Sequence, residues 1–334
     1  MRGLRRLLNP SLSYQFDEYL TSTRIHIARC LEQQGWWRED EDKVARLRDC
    51  HLNMNDVITA HLEQKHLLWS FLKRHHLNFM PRTYPVNDFT YYKVIEDINA
   101  DDLKDNKAPF WFLKPSLMNN AEYIYLFNHA YELKNYFQHP RHLEGEHVFQ
   151  QAVHPPALIG GRKFTFRMGV VITNEPSAYL YRTGYLNISA VDYSDGDDLT
   201  HRKRHITNYL DEFGELAGIE QRLTSSYPEF NEKHLPVMVK MINSILICLN
   251  QEFPNYLIND GTPKIELLGI DFILDKKERL WLLEINQGPD FPVDPLHPLY
   301  ESLWDPFWHR LVDDFVKPLF KLNQTHRAHW LQIY

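Results

Sequence analysis

The sequence is expected to fold as a mixed α/β protein of the α+β kind, in which antiparallel sheets are flanked by helices. Three observations carry that expectation. Two apolar runs, 265–274 and 280–285, flank the polar Asp275-Lys276-Lys277-Glu278-Arg279, which is the pattern of two antiparallel strands and a short turn. The stretch 162–173, RKFTFRMGVVIT, alternates polar and apolar residues with a period of two. Residues 56–76 and 228–251 carry apolar residues at helical spacing.

Taken in order, residues 1–16 hold Arg2, Arg5 and Arg6, with no acid before Asp17 and no apolar core of a secretory signal. A short basic helix start is expected there, not a transit peptide. The spacing predicts a helix over 14–34, closed by Gly35. The charge-rich 39–49 follows as a linker or exposed helix, and a second helix over 56–76 takes Asp56 as its N-cap. Pro81 and Pro85 hold 79–85 extended. Residues 1–88 thus read as a small N-terminal lobe.

A central lobe is expected over 89–154. Its strand 108–115, APFWFLKP, delivers Lys114 at the end, either as a snorkelling edge residue or as a phosphate ligand. A helix over 128–137 and a strand over 146–153 complete the lobe before Pro155-Pro156 breaks the chain. In the C-terminal lobe, 155–325, the alternating strand turns Lys163, Thr165 and Arg167 to one face and Phe164, Phe166 and Met168 to the other. Cations sharing a strand face repel one another, so an anion between them is the economical explanation. A strand over 177–184 brings Arg182 alongside, and 191–201 reads as acidic and mobile. The basic Arg202-Lys203-Arg204 reads as the end of a solvated loop. The long helix 228–251 then feeds the hairpin, and a proline-rich loop, 290–298, leads to a closing helix over 303–319.

Composition narrows the class. A hydrophobic share of 43% and a charged share of 24% are those of an ordinary globular chain. The net charge of -7 argues against a nucleic-acid partner, and an anionic substrate would need a local basic groove. No apolar run is long enough for a membrane helix, so no membrane partner is expected. Cys30, Cys50 and Cys248 form no zinc pattern and fit thiols in a reducing, cytoplasmic compartment.

The hairpin acids are the most informative residues. Glu284 and Asn286 stand two apart, on one face of their strand, and antiparallel pairing can bring Asp271 opposite that face. Converging there, two carboxylates and an amide oxygen make a hard, oxygen-only site suited to magnesium. Read alone, the same carboxylates also fit an edge facing solvent.

The residues APFWFLKPS (108–116), HVFQQAV (147–153), LIGGRKFTFRMGVVIT (158–173), YLYRTGYL (179–186), RHITNY (204–209) and IELLGIDFILDKKERLWLLEINQGP (265–289) stand in an order that resembles the tubulin-tyrosine ligase-like family of the ATP-grasp superfamily. That resemblance implies an ATP-grasp fold, whose lobes clamp ATP between sheets. By matched motif it implies that Lys114 and Lys163 meet the ATP phosphates, that Gln150, Gln151, Ala152 and Val153 read adenine, and that Thr207-Asn208 lies near the phosphates. Asp271, Glu284 and Asn286 are similar to the magnesium ligands, and Arg167 and Arg182 look like a pair holding the reacting carboxylate or acyl phosphate. The implied activity is ATP-dependent joining of a free amino acid to a protein or peptide acceptor, tubulin or another acidic tail, with Mg2+.

Two departures from the family pattern stand out. Thr165 occupies the place of the acid in the usual RKFDxR, and Leu117-Met118-Asn119-Asn120-Ala121 has no glycine where a phosphate flap is expected. They leave open a second reading, a degenerate ATP-grasp domain that binds nucleotide or a partner without ligation.

Overall fold

The computed structural model describes residues 12–16, 21–39, 45–102, 110–118, 121–194, 199, 201–207, 218–292, 294–322 and 327–334. It is a mixed α/β molecule with antiparallel sheets, as the patterning predicts. The chain starts with β1 (Ser13–Gln15), which lies between β2 (Trp37–Arg38) and β3 (Leu47–Arg48) in a small parallel sheet. The helix expected over 14–34 is therefore shorter. As α1 it spans Ser22–Gln33, because the side chain of Thr21 caps the N–H of Arg24 and fixes the start.

The helix expected over 56–76 is two helices, α2 (Asp56–Glu63) and α3 (Lys65–Arg74), separated by the extended Gln64. Its cap is Asn55, not Asp56: the Asn55 side chain accepts the N–H of Ile58 at 3.2 Å. The break at Gln64 has a consequence for the site, since it turns Lys65 inward, where it is 4% exposed.

The central sheet runs in the order β4 (Thr83–Val86), β7 (His147–Gln151), β5 (Trp111–Pro115) and β6 (Tyr125–Phe127), all antiparallel. Helix α4 (Tyr91–Asp102), which the patterning missed, and α5 (Glu132–Phe137) cover one side of it. The stacked rings of Trp111 and Phe149, 4.8 Å apart, anchor this core.

The large sheet is built around β9 (Arg162–Thr173). Along one edge of it lie β11 (Tyr185–Asp192) and then β10 (Ser177–Tyr181). Along the other lie β8 (Leu158–Ile159) and then β13 (Ile265–Leu274). Strand β12 (Glu220–Leu223) extends β11, β14 (Leu280–Gln287) extends β13, and β15 (Trp330–Gln332) extends β10. Strand β11 claims Val191 and Asp192 from the stretch read as mobile, while residues 195–198 lie outside the described residues. Strand β10 stops at Tyr181, short of the expected 184.

Phe164, Phe166, Met168, Val170 and Ile172 of β9 pack under the sheet against α7 (Leu235–Glu252), which begins after a wide turn over Phe230–His234. The short α6 (Arg202–His205) contacts β11 and β9 on the opposite side. A second core joins the N-terminal sheet and α1 to the closing segment, where α8 (Asp305–Leu311) continues through wider and tighter turns to Phe320. Two glycines permit a close layer there. A Cβ at Gly169 would sit 3.0 Å from the Phe307 ring, and one at Gly269, its partner on β13, 2.7 Å from Pro289 Cβ. The backbone after β14 can therefore run directly over the sheet.

Candidate active site

The site lies on the face of the large sheet turned toward the central sheet. Period-two geometry sends Lys163, Thr165 and Arg167 to that face, because their neighbours Phe164, Phe166 and Met168 are held in the core. Pairing then assembles a row across four strands: Tyr185 of β11 stands opposite Arg167 of β9, Arg167 opposite Asp271 of β13, and Asp271 opposite Glu284 of β14. The last step depends on a β-bulge. The register passes from Asp271 opposite Glu284 to Phe272 opposite Leu282, which leaves Leu283 unpaired.

Arg167 grips Asp271 with two parallel bonds, Nε to Oδ1 at 2.6 Å and Nη2 to Oδ2 at 2.5 Å, and reaches Glu284 Oε1 at 3.8 Å. Burial disfavours charge on both carboxylates. At Glu284, Lys65, Lys114 and Arg167 outweigh burial and hold the carboxyl down at about 2. At Asp271 burial pulls the pKa up while Arg167 pulls it down, and the bidentate geometry supports a formed ion pair. Asn286 follows on the same face and donates its amide nitrogen to Glu284 Oε1 at 3.4 Å, which leaves Oδ1 as an acceptor. Two carboxylates and an amide oxygen fit magnesium by donor chemistry. Among the described residues, no group of three His, Cys, Asp or Glu side chains forms an alternative metal cluster.

Beside this row lies a cleft with two adjoining chambers that share lining residues. Lys114, Thr165, Thr207, Ile124 and Leu283 line both. Gln150, Gln151, Ala152, Val153 and Lys163 line the second chamber, with Phe112, Ile206 and Ile273 forming its apolar walls. Lys114 Nζ donates to Gln150 Oε1 at 2.7 Å, and Gln150 Nε2 donates to Thr83 at 3.0 Å. Lys163 Nζ donates to the main-chain oxygen of His205 at 3.0 Å. Burial lowers both lysines, Lys114 to about 8 and Lys163 to about 7, the latter also by repulsion from Lys114. Two buried amines with depressed pKa values facing one cleft are poised to take up an anion.

The expected residues therefore largely converge. Lys114, 150–153, Lys163 and Thr207 meet around the cleft, Asp271 and Glu284 line it, and Arg167 and Asn286 bond to those two carboxylates. Asn208 lies outside the described residues. Arg182 departs from the expected arrangement. It follows the last residue of β10, its side chain is exposed, and its N–H bonds to the His329 oxygen at 3.0 Å. The alternation that gives Tyr179 and Tyr181 the face of Arg167 turns the next position away.

One residue absent from the sequence reading belongs to the site. Lys65 Nζ lies 3.4 Å from Glu284 Oε2 and donates to the Met118 oxygen at 2.8 Å. A signal for it existed, because Lys65 sits on the apolar stripe of Leu62, Leu68 and Leu72, where a solvated lysine is out of place.

A cleft between two antiparallel sheets, with buried lysines at one end and an oxygen-only row at the other, places this chain among mixed α/β proteins that carry a polar cleft between sheets. The chain belongs to the Tubulin-tyrosine ligase family, whose model matches residues 51–212 and 221–324. It is 26% identical over 296 residues to tubulin polyglutamylase TTLL13 of Mus musculus, covering 77% of this chain and 36% of that protein. It is 26% identical over 199 residues to tubulin glycylase 3C of Tetrahymena thermophila, covering 54% of this chain and 18% of that protein. Against the probable tubulin polyglutamylase ttll-9 of Caenorhabditis elegans it is 27% identical over 230 residues, 64% of this chain and 52% of the other. The chain thus spans from about a fifth to about half of these relatives' own lengths. No described helix is long and apolar enough to cross a membrane.

Proposed function

We propose that this chain is an ATP-dependent ligase that joins a free amino acid to a carboxylate of a protein or peptide through an acyl phosphate. The observation that carries the reading is the adjacency of the lysine-lined cleft to the Arg167–Asp271–Glu284 row. Adenine enters the chamber of Phe112, Ile206 and Ile273 along 150–153, and Lys114 and Lys163 exchange their protein acceptors for phosphate oxygens. Asp271, Glu284 and Asn286 Oδ1 are the residues to hold magnesium, which supplies charge neutralisation on the transferring phosphoryl group.

The acceptor carboxylate oxygen attacks the terminal phosphorus, the bond to ADP breaks, and an acyl phosphate forms. The amine of the amino acid then attacks the acyl carbon, phosphate leaves, and the nitrogen loses a proton as the amide forms. Arg167 and Lys65 face the reacting groups with fixed positive charge, stabilising the negative charge that develops. The relatives' names support a protein acceptor, tubulin, and a soluble cytoplasmic setting is consistent with it; those names divide between glycine and glutamate. Mass spectrometry of tubulin incubated with the protein, ATP, magnesium and mixed amino acids tests the reading, with ADP release followed in parallel. Added residues with matching ADP release are expected. ATP binding without any added residue would favour the nucleotide-binding domain that does not ligate.

A further inference from the structure

Glu266 of β13 is wholly buried on the core side of the large sheet, the side to which Leu268 and Ile270 of the same strand also point. The hydroxyls of Thr59 and Tyr256 donate to its Oε2 at 2.9 Å and 2.6 Å, and Gln287 Nε2 donates to its Oε1 at 2.5 Å. It makes no ion pair among the described residues, and burial pushes its pKa up to about 7 against the pull of those donors. A buried acid without a counter-ion costs more than an apolar side chain of its size, so packing does not account for it.

Its donors lie on elements that lead into the site. Thr59 belongs to α2, which lies against β14 and is followed, after the break at Gln64, by Lys65 on Glu284 Oε2. Gln287 is the last residue of β14 and stands opposite Leu268, which makes it a diagonal neighbour of Glu266. The alternation that turns Gln287 to the core turns Asn286 to the face of Glu284. One carboxylate on the far side of the sheet therefore ties down both the helix that delivers Lys65 and the strand end that delivers Asn286.

We propose that Glu266 is a positioning residue for the magnesium site: through Gln287 it sets the direction of Asn286 Oδ1, and through Thr59 it sets the approach of Lys65 to Glu284. The proposal rests on the assignment of magnesium to Asp271, Glu284 and Asn286 above and adds the support that holds that set in place. A strand end free to turn about its own axis carries Asn286 with it, and magnesium tolerates little departure from octahedral geometry. Hydrogen bonds behind a ligand set are worth about 10–100-fold in metal affinity.

The test titrates the full chain, in a calorimeter, with an ATP analogue that does not transfer its terminal phosphoryl group, with and without magnesium. The ratio of the two affinities is the gain that the metal adds, and no turnover enters it. Gln287→Met, at a half-buried position, is expected to keep the metal-free affinity within about twofold of the parent and to lose about tenfold or more of the gain. Glu266→Met should do the same. Glu266→Gln should keep the gain, because its amide oxygen still accepts from Gln287 and its NH2 can donate to the two hydroxyls. A folded Gln287→Met protein with the parental gain, or with both affinities lowered together, overturns the proposal and leaves the magnesium assignment standing. Loss of the gain in Glu266→Gln overturns it too, since charge and not position would then be at work. A parent whose nucleotide affinity does not respond to magnesium overturns the magnesium assignment, and the proposal with it.

Discussion

Lys65 Nζ stands 3.4 Å from Glu284 Oε2, linking the first residue of a helix in the N-terminal third to the strand that closes the site. The ammonium is almost wholly buried and has only Glu284 and the Met118 oxygen as partners among the described residues. In the proposed ligase such a contact would give a helical lysine a part in the chemistry. Lys65→Met keeps the apolar stem and removes the charge, so the fold should persist while ATP turnover falls by ~10²–10³-fold. ADP release by a variant with an unchanged circular dichroism spectrum measures this, and turnover within about twofold of the parent would return Lys65 to a packing role.

Glu284→Gln tests the metal row. An amide matches the carboxylate in shape but cannot neutralise a divalent cation, so ATP turnover should be abolished in a folded protein. Thermal unfolding separates the outcomes: the variant should unfold near the parental temperature without ligand and lose the magnesium-dependent part of the stabilisation by ATP. Full ADP production by the folded variant would remove Glu284 from the metal site.

Lys163 gives a pH signature with a definite sign. Its folded pKa of about 7 lies below its ordinary 10.5 because burial, and then Lys114, disfavour the charged form. Below about pH 7 the amine is charged in both states, and the folded protein carries the full penalty. From there up to about 10.5 only the unfolded chain keeps the proton, so stability from this residue rises with pH. Lys114, facing the same space at about 8, acts in the same direction. Unfolding followed across this range should show the protein gaining on Lys163→Met as pH rises. ATP binding should also take up protons at about pH 8, since phosphate restores the charge, and calorimetry in two buffers detects that uptake. A flat stability difference and no proton uptake would mean that Lys163 does not meet phosphate.

Gly269→Ala probes the layer above the floor. Its Cβ would meet Pro289 Cβ at 2.7 Å and Cγ at 3.3 Å, with backbone behind both, so the residues after β14 must move. A loss of ~1–3 kcal/mol in urea unfolding is expected. An alanine variant as stable as the parent would show that this segment yields freely.

The sequence by itself determined the parts that depend on local pattern. Alternation in 162–173 placed Lys163, Thr165 and Arg167 on one face, and the hairpin 265–287 was legible because its apolar runs bracket a polar turn. Family motifs brought Lys114 and 150–153 to the cleft for the same reason, since those residues sit on strands whose pattern is unbroken.

Tertiary structure alone decided the rest. By strict alternation Leu280, Leu282 and Glu284 share a face; the bulge at Leu283 keeps Leu282 in the core and turns Glu284 to Asp271. A bulge arises from pairing between strands, and one strand's sequence does not contain its partner's register. Likewise Gln64 breaks a helical pattern without proline or glycine, because the lysine beyond it is drawn to Glu284 and the Met118 oxygen. Arg182 departs from the expected pair for the same reason: the register of β10 on β9 gives Tyr179 and Tyr181 the face of Arg167, so the next position turns away, and that register is not contained in one strand's sequence. Periodicity fixes which way a side chain points along one element, while the charge it meets there comes from a distant part of the chain.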